Sequence, residues 1–307
     1  MYRREQLEMA ELLQRKEALK IKMRQKSFIS ITLSMILFGA WGVAAKLVNI
    51  PVPLLIFIMT ATAAIVLLPF NIKHIKGLFK DSHAFLVSVN LTLDLILLTE
   101  AYRRVDLAIV VSLHYIGPVI AVLVAPWILK EHFKWKSLIF ILVALIGGWL
   151  VSVPNSIYKI NGTGLLLALG SAITLAGNII LQRRYMRRDN AEPAAAVFRY
   201  NVFLAGFMLI PAALSESTYP VFNVTYMWEA AVAGILIQCV AMFLFNYAAK
   251  SLTAKTLGVI SYTEIFWASI FGLIIFSQSL TLFQIFGMVL IIIASISSSL
   301  SLEKNNV

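Results

Sequence analysis

A lone cysteine, Cys239, lies inside an apolar run, so the chain can build neither a disulfide framework nor a thiolate metal cluster. Charge is scarce too. Only 13% of residues are charged and 60% are apolar, against roughly 25% and 45–50% in soluble domains. Catalytic signatures are missing: there is no glycine-rich phosphate loop to take ATP, no His-Glu-Xaa-Xaa-His metal series and no Gly-Xaa-Ser-Xaa-Gly nucleophile elbow. Neither a cofactor nor enzyme chemistry is expected. The net charge of +11 is scattered through short connectors, which suits helix orientation in a membrane better than nucleic-acid binding.

What fills the chain instead is membrane helix. A hydrocarbon core about 30 Å thick takes about 20 apolar residues, and runs of that kind fall at 27–46, 51–71, 83–100, 107–129, 135–153, 163–182, 192–214, 226–248, 256–276 and 280–302. The expected fold class is therefore an all-α membrane protein with ten transmembrane helices. Two stretches repeat one another. Glu100 to Val153 and Asn246 to Leu300 read as two drifted copies, and the segment starting at His114 lies over the one starting at Ser261 without a gap, pairing Tyr115 with Tyr262 and Glu131 with Gln278. Each copy holds five spans, an odd number, so the second copy enters the membrane upside down and the duplication is an inverted repeat. The expected domains are a basic leader at 1–26, one five-helix repeat at 27–153, a second at 163–302 and a short tail at 303–307.

Lysine and arginine set the orientation. With the N-terminus in the cytoplasm, the outer side receives only Lys46, Arg103, Arg104 and Lys159; the other basic residues face inward, which favours both termini inside. The leader lacks a signal-peptide core and mixes Leu7, Leu12, Leu13 and Leu19 with charged residues, as a helix lying on the inner leaflet would, or a frayed basic tail. Sequons at Asn161 and Asn223 fall in outward loops and are weak signals of glycosylation.

The ordered series Ala101-Tyr102, Ala108, Tyr115, Gly117-Pro118-Val119 and Lys130-Glu131, echoed by Tyr247-Ala248, Ala254, Tyr262-Thr263-Glu264 and Gln278, resembles the drug/metabolite transporter superfamily, in particular its ten-span EamA-like family. Two positions depart from the pattern: Ile265 stands where a proline is usual, and Gln278 where an acid is usual. The resemblance implies export or exchange of small metabolites, amino acids among them, across a bacterial inner membrane.

The residues that would carry transport are polar groups at membrane depth. Such an acid costs about 2.5–3.5 kcal/mol on insertion scales, so it faces a partner or a cavity. Asp94 shares a helix face with Asn90 and suits a cationic cargo group or a proton; Glu264, flanked by Tyr262 and Trp267, is the second such acid. His114 and Tyr115 precede Pro118, whose ring removes a backbone donor and makes a hinge. Trp41 near Gly39 and Gly42 and Asn178 near Gly177 line a cleft opened by small residues. Gln238 and Asn246 share a face of span eight. Lys46 and Gln182 are gate or interface positions, and Arg199 either grips an acidic cargo or snorkels to headgroups.

The expected function is secondary transport of an amino acid, related zwitterion or amine by alternating access, coupled to protons or a counter-substrate. Spans five and ten, poor in polar groups, face lipid or a second copy of the chain in a homodimer. The competing reading is a membrane enzyme acting on a lipid-linked substrate. It would need a reactive cluster at one face, and Asp81, His83, Glu131 and His132, the only crowd there, read as solvated loop ends.

Overall fold

A computed structural model describes residues 22–105, 107–131, 135–151, 161–218, 224–277 and 280–303. Among them every regular element is helical. Residues 22–39 form α1, followed by α2 (Trp41–Leu47), α3 (Val52–Asn71), α4 (Ser82–Arg104), α5 (Leu107–His114), α6 (Gly117–Leu129), α7 (Trp135–Val151), α8 (Gly162–Met186), α9 (Pro193–Thr218), α10 (Val224–Ala233), α11 (Met242–Ser251), α12 (Ala254–Ser261), α13 (Thr263–Phe276) and α14 (Leu282–Glu303).

Seven helical stretches are long and apolar enough to cross a membrane, with Leu138–Val151 and Leu282–Ser298 as shorter apolar helices. The chain is thus a multi-pass integral membrane protein. Large apolar side chains such as Ile65, Phe70, Leu166, Ile173, Ile210 and Ile274 stand exposed on its outside, where in water they would be costly and in lipid they are at home. The first predicted span is α1 and α2, broken at Ala40, and the chain is already helical at residue 22, so Lys22 to Lys26 ride on the helix. The rest of the leader, with His132, Lys159, Asn223 and Gln278, lies outside the described residues.

Sequence punctuation explains three of the helix starts. Pro51 precedes α3, where a missing N–H leaves nothing unsatisfied. Asp81 caps α4 by accepting from the Ala84 N–H, and Asn161 caps α8 through Gly164. Four departures from the predicted spans stand out. A 3-10 helix, Ile72–Lys80, replaces the loop after α3. The fourth and ninth spans are each broken, α5 from α6 at Tyr115 and Ile116, α12 from α13 at Tyr262. Span eight is wound as a π-helix over Gly234–Ala241.

The break before Pro118 has a local cause. Val119 turns its N–H to the Ile116 carbonyl, so the Tyr115 carbonyl loses its helical donor. The hydroxyl of Tyr262 takes that place, so the two tyrosines paired by the repeat meet at the two breaks, their rings 5.5 Å apart. Helices α6 and α13 both end on left-handed residues, Lys130 at φ 54° and Ser277 at φ 51°. The main packing partners are α3 with α9, α4 with α8 and α7 with α14. Between α7 and α14 the approach is backbone on backbone: a Cβ on Gly147 would lie 2.7 Å from the Gly287 carbonyl oxygen, and one on Gly287 2.5 Å from that of Gly147.

Candidate functional site

Between α1–α2, α4, α8 and span eight lies a cavity of about 880 Å³ counted out to its mouth. Asp94, Asn178, His114, Tyr115, Trp41, Gln238 and Glu264 line it, together with Gln182 and an apolar wall. The other predicted site residues stand behind it. Asn90 bonds the back of Asn178, and Asn246 is fully buried, donating to Gln182. Tyr262 is spent on the Tyr115 carbonyl. Trp267 packs against α1, where a Cβ on Gly39 would come within 2.9 Å of its own Cβ. Pro118 is buried beneath Gly258.

Asp94 is held by a directional chain. Asn90 Nδ2 donates to the Thr174 carbonyl at 2.8 Å and to Asn178 Oδ1 at 2.6 Å. That fixes the Asn178 amide with its nitrogen toward Asp94 Oδ2, at 2.8 Å. Thr174 donates to the other carboxylate oxygen at 2.6 Å. Gly177 makes room for this: a Cβ there would sit 2.5 Å from Asn90 Oδ1. Glu264 accepts from the Tyr115 side chain and lies close enough to Asp94 for the two to repel. Among the described residues neither carboxylate has a lysine or arginine partner. Sequence reasoning missed Ser171 and Thr174, yet Ser171, Thr174, Asn178 and Gln182 form a polar stripe at helical spacing along α8.

The π-turns of span eight free backbone carbonyls, and polar side chains from other spans meet them: Asn201 donates to the Gln238 carbonyl at 3.1 Å, and Ser34 to that of Ala241 at 2.8 Å. A π-segment of this kind often marks a functional site. Here it carries Gln238 on the cavity wall.

At one end of the bundle the acids are partnered very differently. Arg199, Arg188 and the Tyr185 hydroxyl converge on Asp81. Burial would raise its pKa, but hydrogen bonds from Tyr185, the Ala84 N–H and Arg188, with the charge of Arg188, outweigh it and hold the carboxyl below its ordinary value. Glu131 accepts from Arg183 at 3.1 Å and from the Ala254 N–H at 3.0 Å, while Arg183 also donates to the Ala249 carbonyl at 2.6 Å. One expectation for this region fails. Asp81 and Glu131 are not solvated loop ends, because cations and N–H groups reach them from helices far along the chain. Arg199 donates to Asp81 and to the Tyr185 hydroxyl, an internal pairing that the sequence did not suggest. Two members of the crowd suggested for a membrane enzyme, Asp81 and Glu131, thus sit in separate ion pairs, and no group of three metal-binding side chains forms among the described residues.

A family model for EamA-like transporters matches residues 25–153 and again 162–300. The chain belongs to the EamA-like transporter family. The chain is also similar to proteins named as transporters: an uncharacterized transporter of Helicobacter pylori is 27% identical over 233 residues, 73% of this chain and 75% of that one. An uncharacterized transporter of Clostridium kluyveri is 23% identical over 92% of this chain and 96% of its own. The threonine/homoserine exporter RhtA of Escherichia coli K12 is 24% identical over 66% of each chain. A solved crystal structure, 19% identical, covers 92% of this chain and 99% of its own with a TM-score of 0.69, a likeness in fold.

Proposed function

We propose that the chain is a secondary transporter of ten spans, arranged as two inverted five-helix repeats, which moves a small polar metabolite across the plasma membrane by alternating access. The cargo is an amino acid or a related zwitterion or amine, and a proton or counter-substrate supplies the gradient. One observation carries the reading: a buried carboxylate, Asp94, and a half-buried one, Glu264, both with neutral partners, face one cavity inside the bundle. A charge left so at membrane depth invites a transient cation.

The inverted repeat is supported by what meets across the halves. Tyr115 and Tyr262 contact each other, and the fourth and ninth spans break at repeat-related places. The basic end bearing Lys73, Arg183, Arg187 and Arg188 is taken as cytoplasmic, with both termini there. Its ion pairs join the first half to the second, Asp81 to Arg199 and Glu131 to Arg183, and must part for the cavity to open inward. The family and its relatives, RhtA among them, favour a metabolite exporter over an enzyme.

Counterflow in proteoliposomes with a broad panel of radiolabelled metabolites tests the proposal. Exchange of a compound by the wild type, lost in Asp94→Asn, is the expected result; no exchange by folded protein overturns it. Cysteine labelling tests the topology: residues 72–80 and 183–190 should react from the same side, and opposite sides would end the inverted-repeat reading.

A further inference from the structure

A single hydroxyl hydrogen determines what the cavity offers its cargo. Ser171 Oγ lies 2.7 Å from the Ala168 carbonyl oxygen and 2.9 Å from His114 Nδ1. Serine has one hydrogen to give and a carbonyl can only accept, so that hydrogen goes to Ala168. The contact with His114 is then an imidazole N–H donating from Nδ1 to Ser171. A second hydrogen on Nε2 would make a buried imidazolium with no carboxylate bonded to it, which is costly. The ring is therefore neutral and presents a bare lone pair at Nε2. His114 is on the cavity wall, and Nε2 makes no hydrogen bond among the described residues.

The other polar groups have the same sense. The chain from Asn90 through Asn178 ends on Asp94, whose Oδ2 accepts from the Asn178 amide, while its Oδ1 lies against the Thr174 hydroxyl, which also has the Ser171 carbonyl within reach; each carboxylate oxygen keeps a further lone pair. Glu264 adds two more acceptor oxygens, one of them engaged by Tyr115. Gln238 Oε1 is buried without a donor. Against these, among the described residues, the wall holds no lysine or arginine, only neutral donors such as the Trp41 indole and the Gln182 amide. Aromatic faces of Trp41, Phe38 and Phe245 complete the lining and favour a cation.

We propose that the cavity recognises the primary ammonium end of its cargo, with Asp94 and Glu264 supplying the charge and His114 Nε2 acting as a directed N–H acceptor that sets specificity. This rests on the transport reading above. A cargo carboxylate meets only neutral donors and contributes little. A quaternary ammonium has the charge but no N–H to give, and is rejected.

The test uses the full-length protein in lipid nanodiscs, with the twenty amino acids, their methyl esters, their N-acetyl forms and their N-trimethyl forms as probes, binding read as ligand-induced thermal stabilisation. Methyl esters should bind within about threefold of the parent compound, and N-acetyl and N-trimethyl forms at least about tenfold more weakly, tenfold being about 1.4 kcal/mol. His114→Leu should erase at least about fivefold of the preference for primary over trimethylated ammonium, while His114→Gln, which keeps an acceptor and controls for folding, retains it. Nitrogen-15 histidine spectra should give His114 as the Nδ1–H form, with Nε2 shifting on addition of the parent amino acid and not of its N-acetyl form. An Nε2–H tautomer, or N-acetyl forms binding as tightly as their parents, overturns the inference and leaves transport standing. Binding of no compound by the folded wild type removes both.

Discussion

Asp81 and Asp94 belong to one helix, the first as its cap and the second within it, and they are equally hidden, 9% and 8% exposed. Their company differs. Asp81 holds two guanidinium groups and a phenol; Asp94 holds a hydroxyl and an amide that are themselves held from behind. Burial alone therefore does not tell a structural acid from a working one. An acid with resident cations is satisfied and ties helices together. One with only neutral donors is oriented, remains electrically incomplete and can take a visiting cation, provided a cavity lies in front of it.

The sharpest way to break this contrast is to give Asp94 a resident cation. Asn178→Lys should lower exchange in proteoliposomes at least about a hundredfold with the protein still folded, because an intramolecular ammonium outcompetes any cargo at its effective concentration. Retained exchange would mean that Asp94 does not meet cargo. The converse change strips a cation from the tied end: Arg183→Met leaves Glu131 buried with only the Ala254 N–H, and unfolding in detergent should become easier by about 3–5 kcal/mol. A loss under 1 kcal/mol would show that the pair is not structural.

Acid should act on one member of the contrast. Because the folded pKa of Asp81 lies below its unfolded value, its contribution to stability is complete above the unfolded value near 3.9 and fades as pH falls through the folded one. Asp81→Asn should thus lower the melting temperature at pH 7, and the gap from wild type should shrink as pH drops below about 4. A gap independent of pH would assign the loss to capping instead. The smallest effect belongs to Lys73, whose pair with Glu192 is 3.8 Å long and largely exposed: Lys73→Ala should shift stability by under about 0.5 kcal/mol.

Much of this was legible before any coordinates. Apolar run length gives the helices, and spacing places Asn90 with Asp94 on one face and Asn178 within reach of a cleft. Those signals are local. The partners of Asp81 and Glu131 are not, since Arg199 is 118 residues from Asp81 and Arg183 is 52 from Glu131, and a charged residue beside a helix end looks solvated until its neighbours are known. The π-winding from Gly234 was equally silent in the sequence, as was the close approach there, where a Cβ would lie 2.5 Å from the Met59 carbonyl oxygen. Tyr262, Asn246 and Trp267 have the composition of lining residues, yet they stand one layer behind the wall, a distinction that periodicity cannot draw.

The Tyr262 hydroxyl on the Tyr115 carbonyl has a bearing on how the molecule is made. A ribosome that has delivered only the first half leaves that carbonyl in hydrocarbon with no donor, a debt of several kcal/mol. The leading half is chemically completed by its twin, whose hydroxyl supplies what the first half's own backbone has given elsewhere.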